Sequence, residues 1–274
     1  MTTTLRPTAP EQRTGDGGRS RSYEVCVNSR PVGRIDIATD PRFGPGFGRI
    51  ERLAIDERDR HRGRGTVAAL AAEEVLRNWG CTQITVSVPA GAGTALGLAG
   101  ALGYVERNRN MTKPLTASPA LPAGSVARPM GGEEYGRWRA VEKAAYVQEW
   151  VDRGVPRPHA EAKAERDDAL LLPQGPDTPG TILRILAHEG TDVGTLWAAL
   201  RPGGNAWVFG VEVAAPHRGR GHGRTLMLLA ERESLAAGAA ALELNVFAAN
   251  TPALGLYASL GYEPTEIHLY KLLH

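Results

Sequence analysis

The chain lacks most of the features that would assign it quickly. Only two cysteines, Cys26 and Cys81, occur in its 274 residues, with no metal-ligand spacing and no disulfide framework. Both sit in apolar, strand-like context and read as buried thiols in a reducing compartment. No run of 18 apolar residues is present to span a bilayer, and no signal-peptide pattern opens the chain. A cytoplasmic protein with no membrane partner is therefore expected. The polar leader MTTTLRPTAPEQRTGDGGRSRS, residues 1–22, reads as a disordered tail. An excess of one charge is lacking too. Lys and Arg total 32 against 30 Asp and Glu, for a net charge of +2, so nothing global argues for nucleic acid. The histidines and acids show no ligand spacing, so no metal is expected.

What the chain has is glycine and arginine in a particular place. Residues 213–224 read VAAPHRGRGHGR, between an apolar run ending at Val213 and the helix-like TLMLLAERESLAAG. A strand feeding an Arg/Gly turn into a helix N-terminus is a device for holding pyrophosphate. Backbone N–H groups are unpaired there, and the helix dipole favours an anion. A weaker version, DRHRGRGT, occupies residues 59–66. His217 and His222 flank the stronger loop and read as loop residues touching solvent or phosphate, not as catalytic bases.

The two loops belong to a repeat. Aligning Arg60 with Arg218, an offset of 158, matches Gly63 with Gly221, Gly65 with Gly223, Gly80 with Gly238, Leu102-Gly103-Tyr104 with Leu260-Gly261-Tyr262, and Lys113 with Lys271. Roughly one position in three is identical without a gap. The predicted layout is a tail (1–22), a first unit (23–115), a Pro/Ala/Gly/Ser-rich linker (116–123) and a second unit (124–274). In the second unit, helices are predicted at 133–152, 159–172, 224–237 and 251–260. Strands are predicted at 125–129, 182–188, 192–200, 206–213, 242–247 and 266–272. The first unit has no room for the two early helices and reads as truncated at its front.

With these residues in place, the second unit resembles a GNAT-superfamily N-acetyltransferase over essentially all of 124–274. The carriers are Arg-x-x-Gly-x-Gly at Arg218, Gly221 and Gly223, then the strand LELNVF, then Asn250, Ala253, Tyr257 and Leu260-Gly261-Tyr262. The segment LLLPQGPDTPGT resembles a bacterial branch of that family. The resemblance implies an α/β (α+β) fold of two GNAT-like units. Each is a mixed, largely antiparallel, splayed sheet flanked by helices. It implies acetyl-CoA as cosubstrate, with Arg218, Gly219, Arg220, Gly221, His222, Gly223 and Arg224 around its pyrophosphate. The edge Val211–Val213 would pair with the pantetheine arm, Asn250 would bind pantetheine or the acceptor side, and Tyr257 would protonate the departing thiolate.

An amine attacks a thioester directly, so the enzyme mainly positions two reactants and takes a proton. Glu212, beside the presumed acetyl position, is the candidate base, although strand alternation can equally turn it to the other face. Asn250, just before Thr251-Pro252, also reads as a helix N-cap. Tyr257 also reads as a packed aromatic. Trp150 and the acids Glu149, Asp152, Glu161, Glu165, Asp167 and Asp168 read mostly as helix surface, with a lesser hint of a wall for a cationic acceptor. A small-molecule amine or a peptide amine is the expected acceptor.

The first unit keeps Leu53 and Ile55 on the strand, then Arg60, Arg62, Gly63, Arg64, Gly65 and Thr66 in the loop. At the offset of 158, however, it has Ala99 for Tyr257 and Ala92 for Asn250. It reads as a unit that holds CoA without transferring acetyl, or as half of an internal pseudo-dimer; a homodimer is the other assembly expected. A non-catalytic acyl-CoA-binding module is the alternative for the chain. A Rossmann reading is poor, because Gly219-x-Gly221-x-Gly223 lacks that fold's spacing.

Overall fold

The computed structural model describes every residue except Met1, Asp16, Pro41, Arg42, Pro45, Arg153 and His274. In chain order the strands and helices are β1 (Thr3–Pro7), β2 (Gln12–Arg13), β3 (Arg19–Val27), β4 (Arg30–Thr39), β5 (Phe47–Ile55), α1 (Arg64–Asn78), β6 (Gln83–Pro89), α2 (Gly93–Ala101), β7 (Val105–Pro114), β8 (Ser125–Pro129), α3 (Gly132–Asp152), α4 (Arg157–Leu171), β9 (Thr181–His188), β10 (Thr191–Leu200), β11 (Ala206–Val213), α5 (His222–Ala236), β12 (Ala241–Phe247), α6 (Thr251–Ser259) and β13 (Glu263–Leu272). They form two units. Unit 1 comprises Met1–Arg107, Trp150–Lys163 and Glu266–His274, and unit 2 comprises Asn108–Glu149 and Ala164–Thr265.

The sheet of unit 1 runs β1-β3-β4-β5-β6 and then the Glu266–Leu272 part of β13, with β2 on β3. The sheet of unit 2 runs β8-β9-β10-β11-β12 and then the Asn108–Pro114 part of β7. In each, one pair is parallel, β5 with β6 and β11 with β12; the other pairs are antiparallel.

The last strand of each sheet is exchanged. β7 follows α2 in the chain, yet its Asn108–Pro114 pairs with β12. β13 follows α6, yet its Glu266–Leu272 pairs with β6. An ion pair marks the exchange in both units. Lys271 Nζ lies 2.7 Å from Glu73 Oε2, and Lys113 Nζ lies 2.8 Å from Glu231 Oε2. In each pair the lysine comes from one repeat and the glutamate from the other, at positions related by the same offset of 158. Both glutamates are almost fully covered, with side chains 4% exposed. Removing either lysine would strand a buried carboxylate.

The division differs from the sequence-based one in three places. The segment read as a tail contains β1, paired from Thr3↔Val27 to Pro7↔Tyr23. Unit 1 has an opening strand, and among the described residues it has no helix between that strand and β3, as its short front predicts. Its own seventh strand is given away and replaced. The segment Trp150–Lys163 also belongs to it: the Trp150 ring packs 4.6 Å from Phe43, and the Lys163 ammonium lies 5.4 Å from the indole.

Both cores follow from patterning. On α5 the fully buried Leu226, Met227, Leu229 and Ala230 recur at helical spacing and cover Leu196, Leu242 and Leu244 of the sheet. On α1 the matching face is smaller, with Ala68, Ala72 and Leu76 over Ile35, Ile37 and Ile84. Truncating any one of the buried leucines to alanine costs about 2–5 kcal/mol. Cys26 and Cys81 are buried and unbridged, and burial pushes the Cys81 thiol up to about 11. Among the described residues no helix is long and apolar enough to cross a membrane.

Candidate functional site

The site of unit 2 is built at a break in its sheet. β11 and β12 pair in parallel at Ala206↔Leu242, Trp207↔Glu243 and Val208↔Leu244, and the pairing stops there. Beyond Val208 the two strands diverge, which leaves the β12-facing edge of Phe209–Val213 without a strand partner. On its other edge β11 steps from Ala198↔Val208 to Trp197↔Gly210, so Phe209 is the extra residue of a β-bulge. A bulge rotates the backbone and re-aims its donors, which is why such kinks recur beside binding sites. Unit 1 repeats the device at the same offset. β5 and β6 pair as far as Ile50↔Val86, and Glu51 is the bulged residue between Ile37↔Ile50 and Asp36↔Arg52.

A close approach locks each strand. A Cβ on Gly194 would lie 2.3 Å from the Glu212 carbonyl oxygen, and a Cβ on Gly33 would lie 2.3 Å from that of Ala54. These glycines are equivalent, although they stand 161 residues apart, not 158. The three-residue difference falls in the loops before β5 and β11.

After β11 a 3-10 turn, Ala215–His217, leads to Arg218 and the loop. The Arg218 guanidinium donates to the Val213 carbonyl at 3.0 Å, and Arg60 donates to the Ile55 carbonyl at 2.8 Å. The first arginine of each loop thus ties the loop to the strand end. Gly221 (φ +88°) and Gly63 (φ +71°) are the N-caps of α5 and α1, in the left-handed conformation that disfavours other residues. No side chain caps either helix, so the first-turn N–H groups point outward in the arrangement that accepts an anion. Gly223 and Gly65 stand 3.5 and 3.4 Å, at their would-be Cβ, from Leu256 and Leu98, which brings the next helix close.

The predicted loop side chains do not all face a ligand. His222 is buried at the first turn of α5, its ring 5.1 Å from His188 and 6.3 Å from His217. The expectation of a loop histidine open to solvent is corrected: its side chain is covered. Burial first, then His188, His217 and Arg220, hold its pKa below the usual histidine value. Arg64, the equivalent position in unit 1, is likewise buried and pairs with Asp59, which Arg30 also grips at 2.9 Å. Arg224 donates to Ser259 Oγ at 2.6 Å. Arg62, Thr66, Gly219 and Arg220 complete the two loops.

On α6, Asn250 is the N-cap, its Oδ1 accepting from the Ala253 N–H at 3.2 Å. Tyr257 lies about two turns further along, packed on the core beside Tyr262 with ring centroids 5.9 Å apart. Burial raises its phenol pKa, which keeps the proton on the oxygen at neutral pH. In unit 1 the same helix begins at Ala92 with no cap bond and carries Ala99 in the tyrosine's place. Both alanines line a cavity of about 780 Å³ that runs from Arg60–Thr66 along Leu53 and Ile55 to Tyr104. The degenerate unit therefore retains an open cleft.

Glu212 is exposed and lies beyond Phe209, Gly210 and Val211 on the free edge of β11. A carboxylate the sequence reading passed over, Glu142 of α3, lies against this strand: a Cβ on Gly210 would stand 3.7 Å from its Oε2. Burial pushes the Glu142 carboxyl above the ordinary carboxylate range; Glu212 and Glu149 add to this and Arg139 opposes it. Nothing in the spacing of α3 distinguishes Glu142 from its surface acids, so no sequence signal pointed to it. An aromatic wall adjoins: Phe209 stacks on Trp197 at 4.7 Å, and Trp138 meets Trp197 edge-on at 5.7 Å. The other early-helix acids are internally engaged. Asp168 pairs with Arg139, Glu165 with Lys143, and Asp167 accepts from Tyr146. Among the described residues no group of histidine, cysteine or carboxylate side chains could hold a metal.

The model of the acetyltransferase (GNAT) family matches this chain twice, over residues 3–104 and 143–262. The chain belongs to the GNAT acetyltransferase family. Its two matches are the two repeats, and its fold is the mixed α/β fold of two GNAT units. An uncharacterized N-acetyltransferase of Bacillus subtilis, YycN, is 29% identical over 150 residues, 53% of this chain and 96% of that protein. The mycothiol acetyltransferase of Thermomonospora curvata is 27% identical over 254 residues, 89% of this chain and 80% of that protein. A GCN5-related N-acetyltransferase structure from Sphaerobacter thermophilus covers 92% of this chain and 80% of its own at 21% identity, with a TM-score of 0.60. GNAT proteins generally use acetyl-CoA. The uncapped helix N-termini, the left-handed glycines and the free strand edges of this member fit such a ligand.

Proposed function

We propose that this GNAT protein moves an acetyl group from acetyl-CoA to a primary amine by direct attack, and that unit 2 carries the chemistry. The observation that supports this best is the difference on the helix beside the split. Unit 2 has Asn250 and a protonated, half-buried Tyr257, where unit 1 has two alanines.

In this reading the α5 N-terminus and residues Arg218–Arg224 bind the pyrophosphate. The free edge Val211–Val213 aligns the pantetheine arm and aims a backbone N–H at the thioester oxygen, a contribution typically worth about 10²–10³ in rate. The neutral amine attacks the thioester carbon, the carbon–sulfur bond breaks, and the electron pair leaves on sulfur. Tyr257 gives that sulfur its proton. Asn250 holds the start of α6, and with it Tyr257, in place. Glu212, on the free edge, draws in the acceptor. Unit 1 binds an acyl-CoA through Arg60–Thr66 and the edge Leu53–Ile55 without transferring the group. The acceptor is a small-molecule or peptide amine.

The test is a panel of amines assayed by free-thiol release, together with calorimetric titration of acetyl-CoA. Turnover with at least one primary amine is expected. Acetyl-CoA affinity should collapse at unit 2 when Gly221 is replaced by valine. No binding by wild type, or unchanged binding in Gly221→Val, would remove the assignment.

A further inference from the structure

We infer that Glu142, on α3, is the group that takes the proton from the acceptor's ammonium, with Glu212 as the second carboxylate flanking the incoming amine. The inference rests on the proposed acetyl transfer and names who handles the proton and which charge state the site admits. Its geometric basis is the placement of the carboxylate. The two oxygens of Glu142 lie 3.7 and 3.9 Å from where a Cβ of Gly210 would stand. They therefore cover bare backbone at the residue next to the bulge, on the strand whose far edge is free. Gly210 leaves no side chain to block that approach.

The repeat supplies an independent argument. At the offset of 158, unit 1 has Arg52 in place of Gly210. Its β1 and β3 are joined through residues 8–18, and among the described residues there no helix carries a carboxylate over the strand. The unit that lacks Tyr257 and Asn250 thus also lacks Glu142 and the gap it fills. The charged groups that face Glu142 are Glu212 on β11, and Arg139 and Glu149 on its own helix. Arg139 is itself tied to Asp168 of α4 and lies over the Trp197 ring at 5.1 Å. Its charge is already engaged, so it does not neutralise Glu142 outright. Burial raises the Glu142 carboxyl above the ordinary carboxylate range, which makes it a stronger base than an ordinary carboxylate.

The step balances simply. The acceptor enters as an ammonium. One N–H proton passes to the Glu142 carboxylate, and the freed lone pair attacks the thioester carbon. The second N–H proton, lost as the carbon–sulfur bond breaks, matches the proton that the sulfur receives. Glu142 then returns its proton to water. Acceptors that cannot carry a proton on the attacking nitrogen, such as hydrazides and anilines at neutral pH, lose the attraction of the two carboxylates and should be poor substrates.

The experiment uses the full chain as wild type, Glu142→Gln, Glu142→Asp and Glu212→Gln. It reads the pH dependence of thiol release, acetyl-CoA affinity by calorimetry, and carboxyl titration by ¹³C NMR. Glu142→Gln should lower kcat about 100-fold and remove the acidic limb of the profile. Acetyl-CoA affinity should change less than about 2-fold, of order 0.4 kcal/mol, which also reports that the variant folds. Glu142→Asp should recover part of kcat with the limb displaced, and Glu212→Gln should lose less than about 10-fold. In the NMR arm Glu142 should titrate above the ordinary carboxylate range, and Glu212→Gln should lower its midpoint. A Glu142→Gln enzyme with full kcat and an intact acidic limb overturns the inference. So does an ordinary Glu142 titration that Glu212→Gln leaves unmoved, an outcome readable even where no amine turns over. Absence of turnover in wild type counts against acetyl transfer to an amine, a separate failure.

Discussion

Units 1 and 2 place the same elements at the same offset and differ in what those elements carry. Each has the bulged strand, the arginine bonded back to the strand end, the left-handed glycine and an uncapped helix. At the first helical residue unit 2 has a buried histidine and unit 1 a buried arginine locked to Asp59. On the next helix unit 2 has Asn250 and Tyr257, and unit 1 has Ala92 and Ala99. The lesson is that the loop backbone and the side chains on the helix that follows are separable. The scaffold depends on backbone geometry, which glycine spacing preserves. In the proposed reading the chemistry depends on a few side chains, which unit 1 lacks while its cleft stays open.

The largest expected effect that would sharpen this comparison lies at Tyr257. Tyr257→Phe should lower kcat by about 10²–10⁴ with little change in acetyl-CoA affinity, measured by thiol release beside calorimetry. Ala99→Tyr in that background should restore nothing, because unit 1 lacks the rest of the acceptor side. A fully active Tyr257→Phe enzyme would remove the proton-donor role. Next come the exchanged strands. Lys113→Met and Lys271→Met should each destabilise their own unit by about 3 kcal/mol in chemical denaturation, since each leaves a nearly covered glutamate unpaired. Losses below about 0.5 kcal/mol would mean the two ion pairs do not hold the exchange.

A smaller effect concerns the caps. Asn250→Ala should cost about 1 kcal/mol, and Ala92→Asn should recover up to that much in unit 1. The two positions share nearly the same backbone angles (φ −85°, ψ 66° and φ −87°, ψ 63°). Thermal unfolding of both variants checks it, and a destabilised Ala92→Asn would contradict the equivalence.

The smallest is a pH effect. Burial depresses the His222 pKa, so the folded state binds fewer protons there than the unfolded state does. The stability at this position is complete above the unfolded value of about 6.5 and declines as pH falls below it. His222→Asn should flatten the decline in the thermal midpoint between neutral and mildly acidic pH.

Much of the fold was legible because the repeat carried it. The strand at 206–213 and the strand at 125–129 agree with the structure to the residue, and the helices of unit 2 agree within about two positions at each end. The strand exchange was not legible. A strand reads the same in sequence whichever sheet receives it, and only the reciprocal lysine–glutamate pairs distinguish the two outcomes. β1 was missed because TTLRP is polar, short and at a sheet edge, where alternation is weak. In the site, glycines and the arginine spacing marked the loop. The bulge at Phe209 and the approach of Glu142 were invisible, since both depend on packing across elements far apart in sequence.

The central claim is that one unit transfers and the other only binds. The most direct test compares Gly221→Val with Gly63→Val in acetyl-CoA-dependent thiol release with the best amine. The account predicts that Gly221→Val loses turnover while Gly63→Val keeps at least half of it. Loss of turnover in Gly63→Val with activity retained in Gly221→Val would contradict it.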